Sequence, residues 1–121
     1  MNNNLTETKR SIDILCVGEV LIDFIGHQTG VNINETRDYH RYLGGSPTNV
    51  VMNSARLGLK SVLIAAVGDD AFGEYIFKRL DEVGVDTKYI KSIDGTPTSV
   101  IFVSRSETTP EFIPFRKADY R

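Results

Sequence analysis

Residues 44–58, GGSPTNVVMNSARLG, form the stretch that decides how the rest of the chain is interpreted. Ser46 is a residue type that favours the N-cap of a helix, and Pro47 fits the first helical position because its missing N–H has no partner there. Gly58 is typical of the left-handed residue that ends a helix. The two glycines that open the stretch therefore predict either a tight turn or a place where bare backbone approaches a polar small molecule.

The apolar pattern predicts an α/β fold. Strands are predicted at 12–17, 20–25, 61–67, 89–90, 99–103 and 112–115, and helices at 47–57 and 72–83. Pro114 restricts the last strand to an edge or a bend. This order predicts a β-α-β-α-β unit with a parallel sheet, followed by antiparallel strands. The polar segment 27–43 predicts a loop or a short exposed strand pair.

The composition is that of an ordinary globular domain. The chain has 121 residues, 40% of them apolar and 25% charged, with a formal net charge of −2. Since there is no basic stripe, a nucleic-acid partner is not expected. No apolar run is long enough for a membrane span, and residues 1–11 are polar, without the apolar stretch typical of a signal peptide. The single cysteine, Cys16, agrees with the cytoplasmic location that these features predict.

Several motifs together resemble the N-terminal signature of the ribokinase-like (PfkB) carbohydrate kinases. They are GG-x-P-x-N at 44–49, the glycines at 58 and 68, the opening strand ILCVGE at 14–19, and AVGDDAFG at 66–73. The resemblance runs from Ile12 to the C-terminus. Leu21 and the pair Ser46-Pro47 differ from the ribokinase pattern. The chain is therefore most similar to fructokinases, 2-keto-3-deoxygluconate kinases and 5-dehydro-2-deoxygluconokinases.

The resemblance implies a ribokinase-like three-layer sandwich with a parallel central sheet and a small β lid. This chain would hold only the N-terminal part of that α/β fold. Residues 1–11 are expected to be a flexible lead-in, and residues 12–121 the sugar-binding part, with lid segments near 27–43 and 96–116.

The resemblance also implies the substrate-binding residues, namely Asp23, Gly44, Gly45, Asn49 and Arg116. A carboxylate accepts hydrogen bonds from sugar hydroxyls, and an arginine offers a fork to a carbonyl or carboxylate. The residues alone leave other interpretations open. Asp23 could be an outward-facing strand residue, Asn49 a solvated amide, and Arg116 a surface arginine.

The implied activity is transfer of the ATP γ-phosphoryl group to a hydroxyl of a sugar or sugar acid, with Mg²⁺ as a further cofactor. The ATP and Mg²⁺ residues belong to a later Gly-Ala-Gly-Asp signature that is not in this chain, so no catalytic residue is assigned and the piece alone is expected to be inactive. A Walker A loop and a dinucleotide fingerprint are also absent from the sequence.

Two alternatives remain. The first is a non-catalytic sugar-binding or dimerisation module of the same fold, for which a homodimer would form through the lid. The second is an unrelated βαβ domain in which Gly44 and Gly45 are only a turn.

Overall fold

The structure, a computed structural model, describes residues 11–120, so residues 1–10 of the expected lead-in lie outside it. Its strands are β1 (Ile14–Val17), β2 (Leu21–Thr29), β3 (Tyr39–Gly44), β4 (Ser61–Gly68), β5 (Ile90–Ile93), β6 (Val100–Arg105) and β7 (Phe112–Phe115). Its helices are α1 (Ser46–Arg56), α2 (Ala71–Val83) and a 3₁₀ helix at Ala118–Tyr120. None of the helices in the described range is long and apolar enough to cross a bilayer.

The first sheet is parallel and has the strand order β1-β4-β5. After β1 the chain passes through β2 and β3 to helix α1, which leads into β4, and α2 connects β4 to β5. This order confirms the predicted β-α-β-α-β unit. Leu63 and Val67 of β4 are fully buried with Ile76 and Leu80 of α2. By contrast, Val17 and its cross-strand partner Ile64 are exposed. The described residues therefore cover only one face of this sheet with helices.

Helix α1 begins one residue differently from the prediction. Gly45 is the N-cap, Ser46 is the first helical residue, and no side chain caps the helix. Gly45 has φ +108°, and a Cβ there would lie 2.4 Å from the carbonyl oxygen of Glu19. The Ser46 N-cap prediction is wrong because this backbone conformation and close approach both require glycine at the cap. Gly58 has φ +89°, as expected for the residue that ends the helix.

The second sheet has the order β3-β2-β6-β7, and all of its strands follow β1 in the chain. Strand β2 pairs antiparallel with β3 but parallel with β6, and β6 pairs antiparallel with β7. The expectation of purely antiparallel strands after the first unit is therefore wrong at the β2–β6 pair. Strand β7, which contains Pro114, lies at the sheet edge as predicted. Strand β2 runs without interruption through the predicted boundary between the segments 20–25 and 27–43.

The turn between β4 and α2 is fixed by Asp70. Its carboxylate accepts hydrogen bonds from the N–H of Gly73 at 2.9 Å, the N–H of Thr98 at 2.8 Å and the hydroxyl of Thr98 at 2.6 Å. Thr98 is buried and lies two residues before β6 of the second sheet. Asp70 therefore caps α2 and at the same time ties the first sheet to the start of β6.

Candidate functional site

Asp23 is the third residue of β2, where it lies opposite Tyr42 of β3 and Ile101 of β6. Its side chain is partly buried, and no donor among residues 11–120 makes a hydrogen bond to its carboxylate. Burial raises the pKa of Asp23 above the usual value of an aspartate, and the negative charge of Glu19 raises this pKa further. Asp23 is thus a partly desolvated carboxylate whose charged form lacks donors within the described chain.

Gly44 lies directly against this carboxylate. A Cβ at Gly44 would be 2.4 Å from Asp23 Oδ2 and 2.7 Å from the Cδ1 atom of Leu21, the residue opposite it in the sheet. Both distances are far below van der Waals contact. Only glycine therefore allows the carboxylate to lie against the backbone at the start of α1.

Gly45 holds the loop after β1 in the same way. Besides its close approach to the Glu19 carbonyl, its absent Cβ leaves room for the side chain of Glu19, which would be 3.2 Å away. The buried hydroxyl of Thr48 donates to the same carbonyl at 2.8 Å. The two glycines thus contact the residues that carry two carboxylates, and they form a closely packed junction rather than a free-standing turn.

Arg116 joins this region from the far end of the chain. Its Nη2 atom lies 2.6 Å from Glu19 Oε2, and its Nε atom donates to Asp119 Oδ2 at 2.8 Å. Asp119 also accepts a hydrogen bond from the hydroxyl of Ser99. We refer to these residues as the Asp23 cluster, which consists of Glu19, Asp23, Gly44, Gly45, Arg116 and Asp119.

The charges of the Asp23 cluster determine what it can bind. It contains three carboxylates and one guanidinium, and the guanidinium is engaged by two of the carboxylates. The third carboxylate, on Asp23, is an acceptor with no donor from residues 11–120. The nearby N-terminus of α1 carries partial positive charge and no side-chain cap. A neutral ligand rich in hydroxyl groups would supply the missing donors.

Asn49 is placed differently from the other predicted site residues. It is exposed in the first turns of α1, and its backbone N–H donates to the carbonyl of Gly45 at 2.9 Å. Its side chain lines a separate groove, together with Tyr42. The structure therefore brings Asp23, Gly44 and Gly45 into contact, connects Arg116 to them through Glu19, and leaves Asn49 beside the cluster.

The sequence did not identify three residues of this region as site residues, namely Glu19, Ser99 and Asp119. An acidic residue three positions after Arg116 is a local signal for an ion pair with that arginine. No comparable signal exists for Glu19, because it is 97 positions away from Arg116. That contact depends on the tertiary fold, which brings the segment after β1 beside the segment after β7.

Comparison with known proteins identifies the family of this chain. Residues 11–120 match the profile of the pfkB family of carbohydrate kinases. The chain belongs to this family. It is 36% identical, over 98% of its length, to an ATP-dependent 6-phosphofructokinase of Thermoanaerobacterium thermosaccharolyticum. It is 38% identical, over 79% of its length, to a 5-dehydro-2-deoxygluconokinase of Clostridium perfringens.

Solved PfkB structures show the same fold. The fructokinase of Halothermothrix orenii superposes with a TM-score of 0.85 at 37% identity, covering 89% of this chain and 39% of the fructokinase. This match confirms the ribokinase-like α/β fold class. The chain covers 36% of the phosphofructokinase and 29% of the deoxygluconokinase, so it spans about a third of the length of these curated relatives.

Some similar PfkB structures contain ATP, in one case with Mg²⁺. The Asp23 cluster itself does not fit a magnesium site, since Glu19 and Asp119 are engaged by Arg116. Elsewhere in residues 11–120, no three His, Cys, Asp or Glu side chains are grouped so that they could hold a metal ion. We therefore assign no Mg²⁺ site among these residues.

Proposed function

We propose that this chain is the sugar-binding part of an ATP-dependent PfkB kinase, which transfers the γ-phosphoryl group to a hydroxyl of a sugar or sugar acid. The observation that carries the proposal is the Asp23 carboxylate. It lies against Gly44 at the start of α1, it is partly desolvated, and it has no donor from the described residues. A carboxylate kept in this state is a natural acceptor for ligand hydroxyl groups.

Each predicted residue then has a role in binding. Asp23 accepts hydrogen bonds from sugar hydroxyls, and the bare backbone of Gly44 and Gly45 lets the sugar approach the helix start. Arg116 borders the site and fixes Glu19 beside Asp23. Asn49, with an amide that both donates and accepts, would contact the sugar from the rim.

The charge of the cluster favours one part of the substrate at Asp23. Because three carboxylates surround a single, already paired guanidinium, an anionic group placed there would be repelled. We therefore propose that the neutral, hydroxyl-bearing part of the sugar contacts Asp23. Any carboxylate or phosphate of the substrate would lie away from it.

The phosphoryl transfer is proposed for the whole protein. The relatives named as kinases are about three times as long as this chain, and ATP and Mg²⁺ would be bound by residues other than 11–120. On this proposal the 121-residue chain binds sugar but does not phosphorylate it by itself. The location we propose is the cytoplasm, as expected from the sequence.

The test is fructose binding to the 121-residue protein, measured by calorimetry. Asp23→Ala should weaken binding by about 2 kcal/mol, roughly 30-fold, which is typical for the loss of charged hydrogen bonds. Asp94→Ala is the matched control, since Asp94 is exposed in the turn after β5. Equal affinities in both variants would remove Asp23 from the site, and no binding by the unaltered protein would refute the sugar-binding proposal.

A second candidate is a non-catalytic module that dimerises through the second sheet. The edge strand β7 favours it, because Phe112 and Phe115 are 63% and 60% exposed next to unpaired backbone groups. Sedimentation over a range of concentrations tests for the homodimer, with Phe112→Ser and Phe115→Ser as the disrupting changes. Phosphoryl transfer by the whole protein would decide for the kinase over the non-catalytic module.

A further inference from the structure

A groove of about 470 Å³ lies between β3, α1 and α2. We call it the arginine groove, after Arg41 of β3, Arg56 of α1 and Arg79 of α2, which line it. Of the residues proposed to bind sugar, Asn49 lines this groove, whereas Asp23, Gly44, Gly45 and Arg116 do not. The groove is therefore a different surface from the Asp23 cluster, and an inference about it goes beyond the proposed sugar binding.

The lining of the arginine groove contains three arginines, in a chain whose formal net charge is −2. None of the side chains that line it is acidic. Within residues 11–120, neither Arg41 nor Arg56 forms an ion pair with a carboxylate. Arg79 does, since its Nη1 atom is 2.7 Å from Glu82 Oε2 at the rim. At least two positive charges thus face the groove without a bound counter-charge from the described chain.

These arginines are nevertheless held in place by neutral partners. The guanidinium carbon of Arg41 lies 3.6 Å from the ring centroid of Tyr75, which is a close cation–π contact. Arg56 donates from Nη1 to Asn53 Oδ1 at 3.2 Å. Such contacts orient the guanidinium groups while leaving their charge and most of their donors available.

The three arginines come from separate elements, yet the fold directs them to one place. Asn53 and Arg56 are three residues apart on α1, and Tyr75 and Arg79 are four apart on α2, so each pair shares a helix face. Strand β3 lies at the edge of the second sheet and supplies Arg41, whose guanidinium lies over the Tyr75 ring of α2. The convergence is a property of the tertiary structure, because the three positions are widely separated in sequence.

We propose that the arginine groove binds the phosphate group of a small phosphorylated molecule. Guanidinium forks match the oxygens of a phosphate dianion and can bind it from two sides, and the groove volume is in the usual range for small-molecule sites. One face of the Tyr75 ring is already covered by Arg41. A nucleobase therefore cannot stack on that face of the ring.

The first test maps binding on the unaltered protein. Amide NMR spectra of the ¹⁵N-labelled 121-residue protein are recorded with inorganic phosphate, with fructose 6-phosphate and with fructose. Saturable shifts at Arg41, Asn53, Arg56 and Tyr75 are expected with both phosphate compounds and not with fructose. A stronger response to fructose 6-phosphate would identify a sugar phosphate, and equal responses would identify phosphate itself.

The second test uses matched charge changes. Arg41→Gln combined with Arg56→Gln should weaken phosphate binding at least about tenfold, since both forks are lost. Arg37→Gln combined with Lys78→Gln removes the same charge from exposed positions outside the groove and should leave the affinity unchanged.

Three results would overturn the proposal. They are an absence of saturable shifts in the unaltered protein, shifts confined to Asp23, Gly44 and Gly45, and an equal loss of affinity in the two double variants. Because the mapping uses unaltered protein, it decides the question even if the groove variant fails to fold. Fructose binding at Asp23 is measured separately by calorimetry, so the failure of one proposal can be distinguished from the failure of the other.

Discussion

Asp70 caps the start of α2, and Asp23 is a strand residue whose carboxylate lies beside the start of α1; their surroundings differ in opposite directions. Asp70 caps α2 and accepts hydrogen bonds from Gly73 and Thr98. Burial would raise the pKa of Asp70, but the hydrogen bonds, that of the Thr98 hydroxyl foremost, outweigh it and lower this pKa. Asp23 lies against the start of α1, no described residue donates to it, and burial raises its pKa.

The difference separates a structural carboxylate from a binding carboxylate. At Asp70 the chain supplies every donor, so the charge stabilises the native turn. At Asp23 the chain supplies bare glycine backbone and a second negative charge, so the donors must come from water or from a ligand. A fold that leaves such a group incompletely satisfied accepts a cost in stability, which is typical of functional sites.

The largest expected effect comes from the glycine junction beside Asp23. Gly45→Ala should destabilise the protein by about 3 kcal/mol, because it adds a left-handed backbone strain and a clash with the Glu19 carbonyl. Gly58→Ala is the control, since Gly58 also has positive φ but nothing lies within 4 Å of its added Cβ. Its cost should be about 1 kcal/mol. Urea unfolding measures both, and equal costs would contradict the close packing at Gly45.

Asp70→Ala removes the structural carboxylate. We expect a loss of about 2 kcal/mol in the free energy of unfolding, because the α2 cap disappears and buried donors of Thr98 are left unpaired. Since the pKa of Asp70 is lowered by folding, its contribution is present above the unfolded-state pKa and is lost as pH falls through the folded-state pKa. The difference from the unaltered protein should therefore shrink in acid, and a gap that is constant down to low pH would argue against this assignment.

Gly44→Ala tests whether sugar binding depends on the position of the Asp23 carboxylate. The new methyl group would occupy the position of the Asp23 carboxylate, so the carboxylate must move. Calorimetry should show about tenfold weaker fructose binding, roughly 1.4 kcal/mol, with a smaller loss of stability than in Gly45→Ala. Fructose affinity equal to that of the unaltered protein would show that the position of this carboxylate does not matter for binding.

The smallest expected effect has the opposite sign. Asp23→Asn should stabilise the protein by about 0.5 kcal/mol at neutral pH, because it removes a partly buried charge next to Glu19. The folded-state pKa of Asp23 is raised, so the unaltered protein loses stability as pH rises from the unfolded-state value of about 3.9 through the folded-state value. Thermal unfolding at several pH values should therefore show the gain at neutral pH and its disappearance below that window.

Much of the fold could be predicted from the sequence, because local chemistry specifies it. The apolar runs and the helix-ending glycine at 58 define the first unit, and the structure contains each of these features. The edge position of β7 followed from Pro114. The Ser46 cap failed because the preference of serine for that position was outweighed by a close backbone contact with Glu19, which no local pattern reveals.

The site was only partly accessible to the same reasoning. The family resemblance pointed to Asp23, and Gly44 and Gly45 are also recognisable as paired glycines before a helix. The pairing of Glu19 with Arg116 and the convergence of Arg41, Arg56 and Arg79 depend on contacts between distant segments. The sequence therefore showed no basic stripe, although the structure brings three arginines together in one groove.

The most direct measurement of the central claim is the titration of the Asp23 and Asp70 side-chain carboxyl carbons by NMR, with and without saturating fructose. Without sugar, the pKa of Asp23 should lie above that of Asp70, because only Asp70 has donors from the chain. Fructose should lower the pKa of Asp23, since its hydroxyls stabilise the charged form, and leave Asp70 unchanged. A pKa of Asp23 below that of Asp70, or one that fructose does not move, would contradict the account.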